Sequence, residues 1–152
     1  MGQYTIVKPK NFTQIKEAGL VDEREIAVQT KIALKPGYGQ SFGGAVKAAV
    51  TAALSAPMPF IVALKGETVI LVQVPLRGLF VQTSTVKQKE IDKRIEIKKE
   101  VIAGVSFQKV LGGKKLRVNL LTGDEILIDV TKKNALALTE LVKALGFAVG
   151  GE

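Results

Sequence analysis

Between Gly104 and Val130 the chain offers three short runs, Gly104 to Val110, Lys114 to Leu121 and Glu125 to Val130, separated by Leu111-Gly112-Gly113 and Thr122-Gly123-Asp124. Glycine at each break supplies the positive φ that a tight hairpin turn needs. Links this short join antiparallel neighbours, because a parallel crossover needs a dozen or more residues. The end of the chain is therefore committed to a β-meander.

The rest of the sequence fits around that commitment. From Ile26 the residues Ile26, Val28, Thr30, Ile32 and Leu34 alternate with Ala27, Gln29, Lys31 and Ala33, the period of a half-buried strand that Pro36 and Gly37 end. Phe60 to Leu64 and Thr68 to Val74 are β-rich runs flanking a Lys65-Gly66-Glu67 turn, and a further strand is expected at Leu79 to Thr85. Val86 to Glu100 mixes basic and acidic residues with Ile91, Ile95 and Ile97 and reads as a long exposed strand or a loop. Asn11 is placed to cap a short helix over Phe12 to Ala18 that stops at Gly19. Thr131 caps a second helix, whose face of Ala135, Leu138, Leu141, Val142 and Leu145 is closed by Gly146.

Composition removes several chemistries. The 152 residues hold no His and no Cys. Imidazole bases, thiolate nucleophiles, disulfides and structural zinc sites are thereby excluded. We expect no catalytic residue, no metal site and no cofactor. Asp22, Glu23 and Glu25 sit beside Arg24 in what reads as a surface loop, and turn chemistry accounts for Asp124. The amino-terminal MGQYTIVKPKNF lacks the basic-then-apolar layout of a signal peptide, so a cytoplasmic setting is expected. Net charge is +8, from 22 basic and 14 acidic residues, which favours anionic partners. Lys109, Lys114, Lys115 and Arg117 share one hairpin with no acidic residue between Glu100 and Asp124, which makes them, with Lys35 and Lys47, the expected contacts for an anionic partner such as lipid. For nucleic acid, stacking aromatics are wanted, and Phe107 is the only one nearby, so nucleic acid is not the expected partner.

One stretch has almost no side-chain bulk: GYGQSFGGAVKAAVTAALSAP, from Gly37 to Pro57. On a helix starting at Ser41, Phe42, Val46, Val50 and Leu54 form an apolar stripe, while Ala45, Ala49 and Ala53 leave a smooth flank beside Lys47. Small side chains let another backbone approach closely. The segment can cover its own barrel, pack against a second chain, or meet an anionic bilayer with help from Lys35 and Lys47. At about 24 Å such a helix is too short to span a hydrocarbon core of about 30 Å. The glycine spacing of a dinucleotide-binding turn is not met, because Phe42 stands where its third glycine belongs.

The strand-turn-strand PFIVALKGETVILV (Pro59 to Val72), the run IEIKKEVIAGVSFQKVLGGKKLRVNLLTGDEILIDV (Ile95 to Val130) and the closing helix Lys132 to Leu145 together resemble the bacterial pleckstrin-homology-like family. That resemblance implies a mainly β (α+β) fold: an antiparallel two-sheet barrel of about seven strands with a C-terminal capping helix, here with a Gly/Ala-rich helical insertion between its first two strands. Residues 1–25 become an N-terminal extension with a short helix, 26–146 the domain with its insertion at 37–58, and 147–152 a flexible tail. The family's phosphoinositide-gripping loop is replaced by the insertion, so that recognition does not carry over. The expected function is a non-catalytic interaction module that self-associates or docks on a protein partner through Phe42, Ala45, Val46, Ala49, Val50, Ala53 and Leu54. The alternative is peripheral binding to anionic lipid at the inner membrane face, through the same helix and nearby lysines.

Overall fold

A computed structural model describes residues 2–35, 57–77, 82–83 and 85–148. The molecule is mainly β. Its main sheet is eight-stranded and curls into a half-barrel, with β5 (Leu76–Arg77) and β6 (Gln82–Thr83) forming a separate two-stranded ribbon. The strands of the main sheet are β1 (Thr5–Ile6), β2 (Ala27–Lys35), β3 (Met58–Lys65), β4 (Thr68–Gln73), β7 (Ile95–Lys98), β8 (Ile102–Val110), β9 (Gly113–Leu120) and β10 (Glu125–Val130). Their order is β7-β4-β3-β2-β10-β9-β8, antiparallel along that path, with β1 added parallel to the start of β2.

β2 is the strand on which the sheet turns. Its first part pairs with β3, from Ala27 opposite Ala63 to Ile32 opposite Met58, and its last part pairs with β10, from Ile32 opposite Ile128 to Lys35 opposite Glu125. Val28, Ile32 and Leu34 of β2, with Ile26 just before it, face inward as their alternation requires. Ile26, Val28, Ile32 and Leu34 meet Phe60, Val62, Leu64, Val69 and Leu71 from β3 and β4 and Leu116, Ile126 and Ile128 from β9 and β10.

A second apolar layer lies on the outer face of β2, β3 and β4. Ala27, Ile61, Ala63, Ile70 and Val72 pack there against Val7, Phe12, Ile15 and Leu20 from the N-terminal region and Val86 and Ile91 from the segment before β7. Burial on both faces explains why β3 and β4 read as unbroken apolar runs, MPFIVALK and TVILVQ, whereas β10, covered on one face, alternates as EILIDV.

The helices differ from their sequence assignments in instructive ways. α1 spans Pro9–Glu17, starting before Asn11, because proline presets φ at the first helical position and holds Lys8 extended. Asn11 is therefore not a cap. It is buried inside the helix, where its Oδ1 accepts from the Val86 N–H at 2.8 Å and its Nδ2 donates to Gln29 Oε1 at 3.2 Å. The stop at Gly19 is as expected: φ is +75°, Gly19 N–H donates to Lys16 O and Leu20 N–H to Ile15 O, each at 3.0 Å.

Residues 86–100 are neither one long strand nor a loop. A short helix, α2 (Gln88–Asp92), precedes β7, and its start is fixed by the Lys87 N–H donating to Glu90 Oε1 at 2.7 Å. Ile91 of α2 packs in the outer apolar layer, while Ile95 and Ile97 of β7 enter the inner core. Of the strand expected at Leu79 to Thr85, Gln82–Thr83 pairs with Leu76–Arg77, and residues 78–81 and 84 lie outside the described residues.

α3 (Ala135–Ala144) plugs the curled sheet. Thr131 and Asn134 hold its approach by reciprocal bonds: Thr131 N–H to Asn134 Oδ1 at 2.7 Å, and Asn134 N–H to Thr131 Oγ1 at 3.2 Å. Ala137, Leu138, Leu141, Val142 and Leu145 enter the inner core, and Phe147 packs half-buried against it. Gly146, at φ +87°, ends the helix. Of the tail expected at 147–152, residues 149–152 lie outside the described residues.

Replacing Asn11 by Ala leaves the buried Val86 N–H without its partner. It should cost about 1–3 kcal/mol of unfolding free energy, read from a shift of the urea midpoint at unchanged slope.

Candidate functional site

The β8–β9 hairpin carries the cationic residues singled out from the sequence, and the structure divides them into two groups. Lys115 and Arg117 point outward from β9 beside the acidic residues of β10. Lys115 Nζ lies 2.6 Å from Asp129 Oδ1, and the Arg117 guanidinium is paired with the Glu125 carboxylate. The register sets both pairs, with Lys115 opposite Asp129 and Arg117 opposite Leu127, two residues from Glu125 on the same strand. These two cations are neutralised within the fold.

Lys109 and Lys114 differ. They are register partners at the end of the hairpin and exposed, and neither forms an ion pair among the described residues. Lys114 Nζ stands 5.9 Å from the centroid of Phe107, whose ring is in the inner core. The turn beyond them is Leu111-Gly112, with Gly112 at φ +88° and Leu111 fully exposed. Val130 pairs with Lys114, so the chain leaves β10 beside this tip and passes at once through Thr131, Lys132 and Lys133, all exposed. Lys132 and Lys133 also form no ion pair among the described residues.

Lys35 is not part of that cluster. It pairs with Glu125 at the other end of β10 from Val130, so the cationic candidates occupy two ends of one sheet. Phe42, Ala45, Val46, Lys47, Ala49, Val50, Ala53 and Leu54 lie outside the described residues, in the stretch between the paired strands β2 and β3.

The acidic loop after α1 has no evident role in the sequence, and the structure gives it one. The Asp22 carboxylate accepts from the Gly66 N–H at 2.8 Å and from Arg24 Nη2 at 2.5 Å, while Arg24 Nη2 also donates to Gly66 O at 2.8 Å. The loop is thereby clamped to the β3–β4 turn. Hydrogen bonding from Arg24, reinforced by the Gly66 N–H against the opposing effect of burial, lowers the Asp22 pKa to about 2. Glu25 is likewise lowered, chiefly by its bond to Lys16. A signal was present in the sequence: Asp22-Glu23-Arg24 set two opposite charges two residues apart, a spacing suited to a bidentate local pair. The surface depression beside the clamp, about 670 Å³, sets Asp22, Arg24, Lys65, Arg94 and Glu96 around Gly66, and Arg94 is held by Glu96 at 2.7 Å. Asp22, its pKa held at about 2 by its bonds to Arg24 and Gly66, is poorly suited to accept a proton near neutrality.

The space between the curled sheet and α3 offers little room. The cavity between sheet and α3 measures about 20 Å³ and is lined only by aliphatic side chains, among them Val62, Leu116, Val118 and Leu141. A water there would find no polar partner, and no ligand of useful size fits. Among the described residues, no group of three His, Cys, Asp or Glu is placed to hold a metal ion. Nor is any helix among them long and apolar enough to cross a membrane.

Asp22 contributes to stability only while ionised. Its folded pKa of about 2 lies below the ordinary 3.8, so its contribution is complete above about pH 5 and is lost as pH falls toward 2. Urea midpoints measured across that range should drop for the wild type, and Asp22→Asn should flatten the slope.

A scan against protein-family models and a search of curated proteins find no match to this chain.

Proposed function

We propose that this chain is a non-catalytic interaction module of pleckstrin-homology-like type that self-associates, or docks on a protein partner, through Phe42 to Leu54. The observation that supports it best is the strand order of the curled sheet. Strands leave β2 on one side through β3, β4 and β7 and return to it on the other through β8, β9 and β10, and the C-terminal helix plugs the opening. A curled antiparallel sheet with a C-terminal helix is the coarse part of what the sequence resemblance implies.

With the interior filled, recognition falls to the outside of the fold. The small-residue segment is tethered at both ends by strands locked in register, Ile32 opposite Met58, which gives it a firm base. Its alanines offer the close approach that a second backbone needs.

Light scattering across a concentration series should show a mass that rises with concentration. Ala49→Glu, which puts a charge on the smooth flank, should return it to the monomer mass. A wild type that stays monomeric at every concentration and captures no partner ends this reading.

A further inference from the structure

We propose that the tip of the β8–β9 hairpin, with the turn leading into α3, docks the protein on an anionic bilayer, Leu111 entering the interface while Lys109, Lys114, Lys132 and Lys133 meet the headgroups. This goes beyond the self-association reading and uses the other end of β10 from Lys35.

The first observation is Leu111. It is 104% exposed at the very end of a hairpin, and Val110 beside it is 39% exposed. The turn's conformational demand is met by Gly112, so nothing in the turn requires a large aliphatic residue at position 111. The inner core is filled without it.

The second is charge. Lys109 and Lys114 face each other across the ladder, a like-charge pair that destabilises the hairpin and that a neighbouring anion would relieve. Lys132 and Lys133 follow closely on Val130, the partner of Lys114. Asp129, the acidic residue nearest in register, is already held by Lys115. The sequence has no Asp or Glu from 101 to 123, nor from 130 to 139. The exposed Leu136 follows Lys133 by three residues, in the first turn of α3.

The shape and chemistry favour a lipid surface over other anions. Nucleic acid wants flat rings for stacking, and here Phe107 is buried beneath Lys114 while the exposed apolar atoms are aliphatic. A protein partner wants a surface of about 800 Å² on each side. A two-residue tip ringed by lysines is a wedge, suited to a fluid interface whose headgroups close around it.

The test is co-sedimentation of the whole chain with phosphatidylcholine vesicles, with and without phosphatidylglycerol. Binding should require phosphatidylglycerol and fall as salt is raised. Each Lys→Gln change at 109, 114, 132 or 133 should weaken partitioning by about fivefold. Leu111→Ser should weaken it by about tenfold or more. All five side chains are exposed, so no variant should fall below the wild-type urea midpoint. The chain contains no tryptophan, so Leu111→Trp gives a lone reporter whose emission should shift to the blue when anionic vesicles are added. The proposal is overturned if the wild type ignores anionic vesicles. It is equally overturned if the Leu111→Trp variant binds them with its emission unmoved, which would put the contact elsewhere, or if these residues prove to bind a nucleic acid or an acidic protein and not lipid.

Discussion

Ile32 has a register partner on each side, Met58 on β3 and Ile128 on β10, and its side chain lies fully buried between them. Here β2 changes the partner on which most of its ladder rests, and the remaining elements arrange themselves around that change. Before it, the sheet is a dry middle layer, with the inner core beneath and α1 and α2 above. Beyond it, the sheet has the inner core on one face, and its outer face carries ion pairs. Side chains bridge the stretch between β1 and β10 along the same edge of β2. Thr30 Oγ1 donates to Asp129 O at 3.1 Å, and Gln29 Oε1 accepts from the Lys8 N–H at 3.3 Å.

How legible each part was follows from how many surroundings shape it. The β8–β9–β10 meander was readable because its residues answer to one partner on one face, so alternation and glycine turns suffice. The two central strands were also readable, as apolar runs, but what covers their outer face was not. Phe12 and Ile15 look like any short amphipathic pair until Ile61 and Ile70 are seen to need cover. Asn11 shows the same limit. Asparagine before an apolar residue is a fair cap signal, yet Pro9 starts the helix earlier and Asn11 answers a distant backbone N–H at Val86. In 86–100 the dense charges masked one local bond, Glu90 back to Lys87, that winds α2.

For the surface, charge counts along the chain were a poor guide to charge in space. The hairpin looked uniformly basic because its nearest acids in sequence are as far off as Glu100 and Asp124. Folding brings Asp129 and Glu125 alongside and cancels Lys115 and Arg117, leaving Lys109 and Lys114 at the tip. Which lysines remain open is thus a property of strand register. The sequence already sets Leu111 in the turn, but its full exposure is seen only in the folded hairpin, where no neighbouring element covers it among the described residues.

The pairing of Lys35 with Glu125 has a kinetic side. Hairpins such as β3–β4 join residues close in sequence and form within microseconds. β2 must instead wait for a strand most of a chain length away, and the entropy of closing that loop is spent before any contact returns it. Until β10 arrives, half of β2 is an open edge of apolar residues, so the slow step in making this molecule is also the interval in which a nascent chain is most exposed to mispairing with its neighbours.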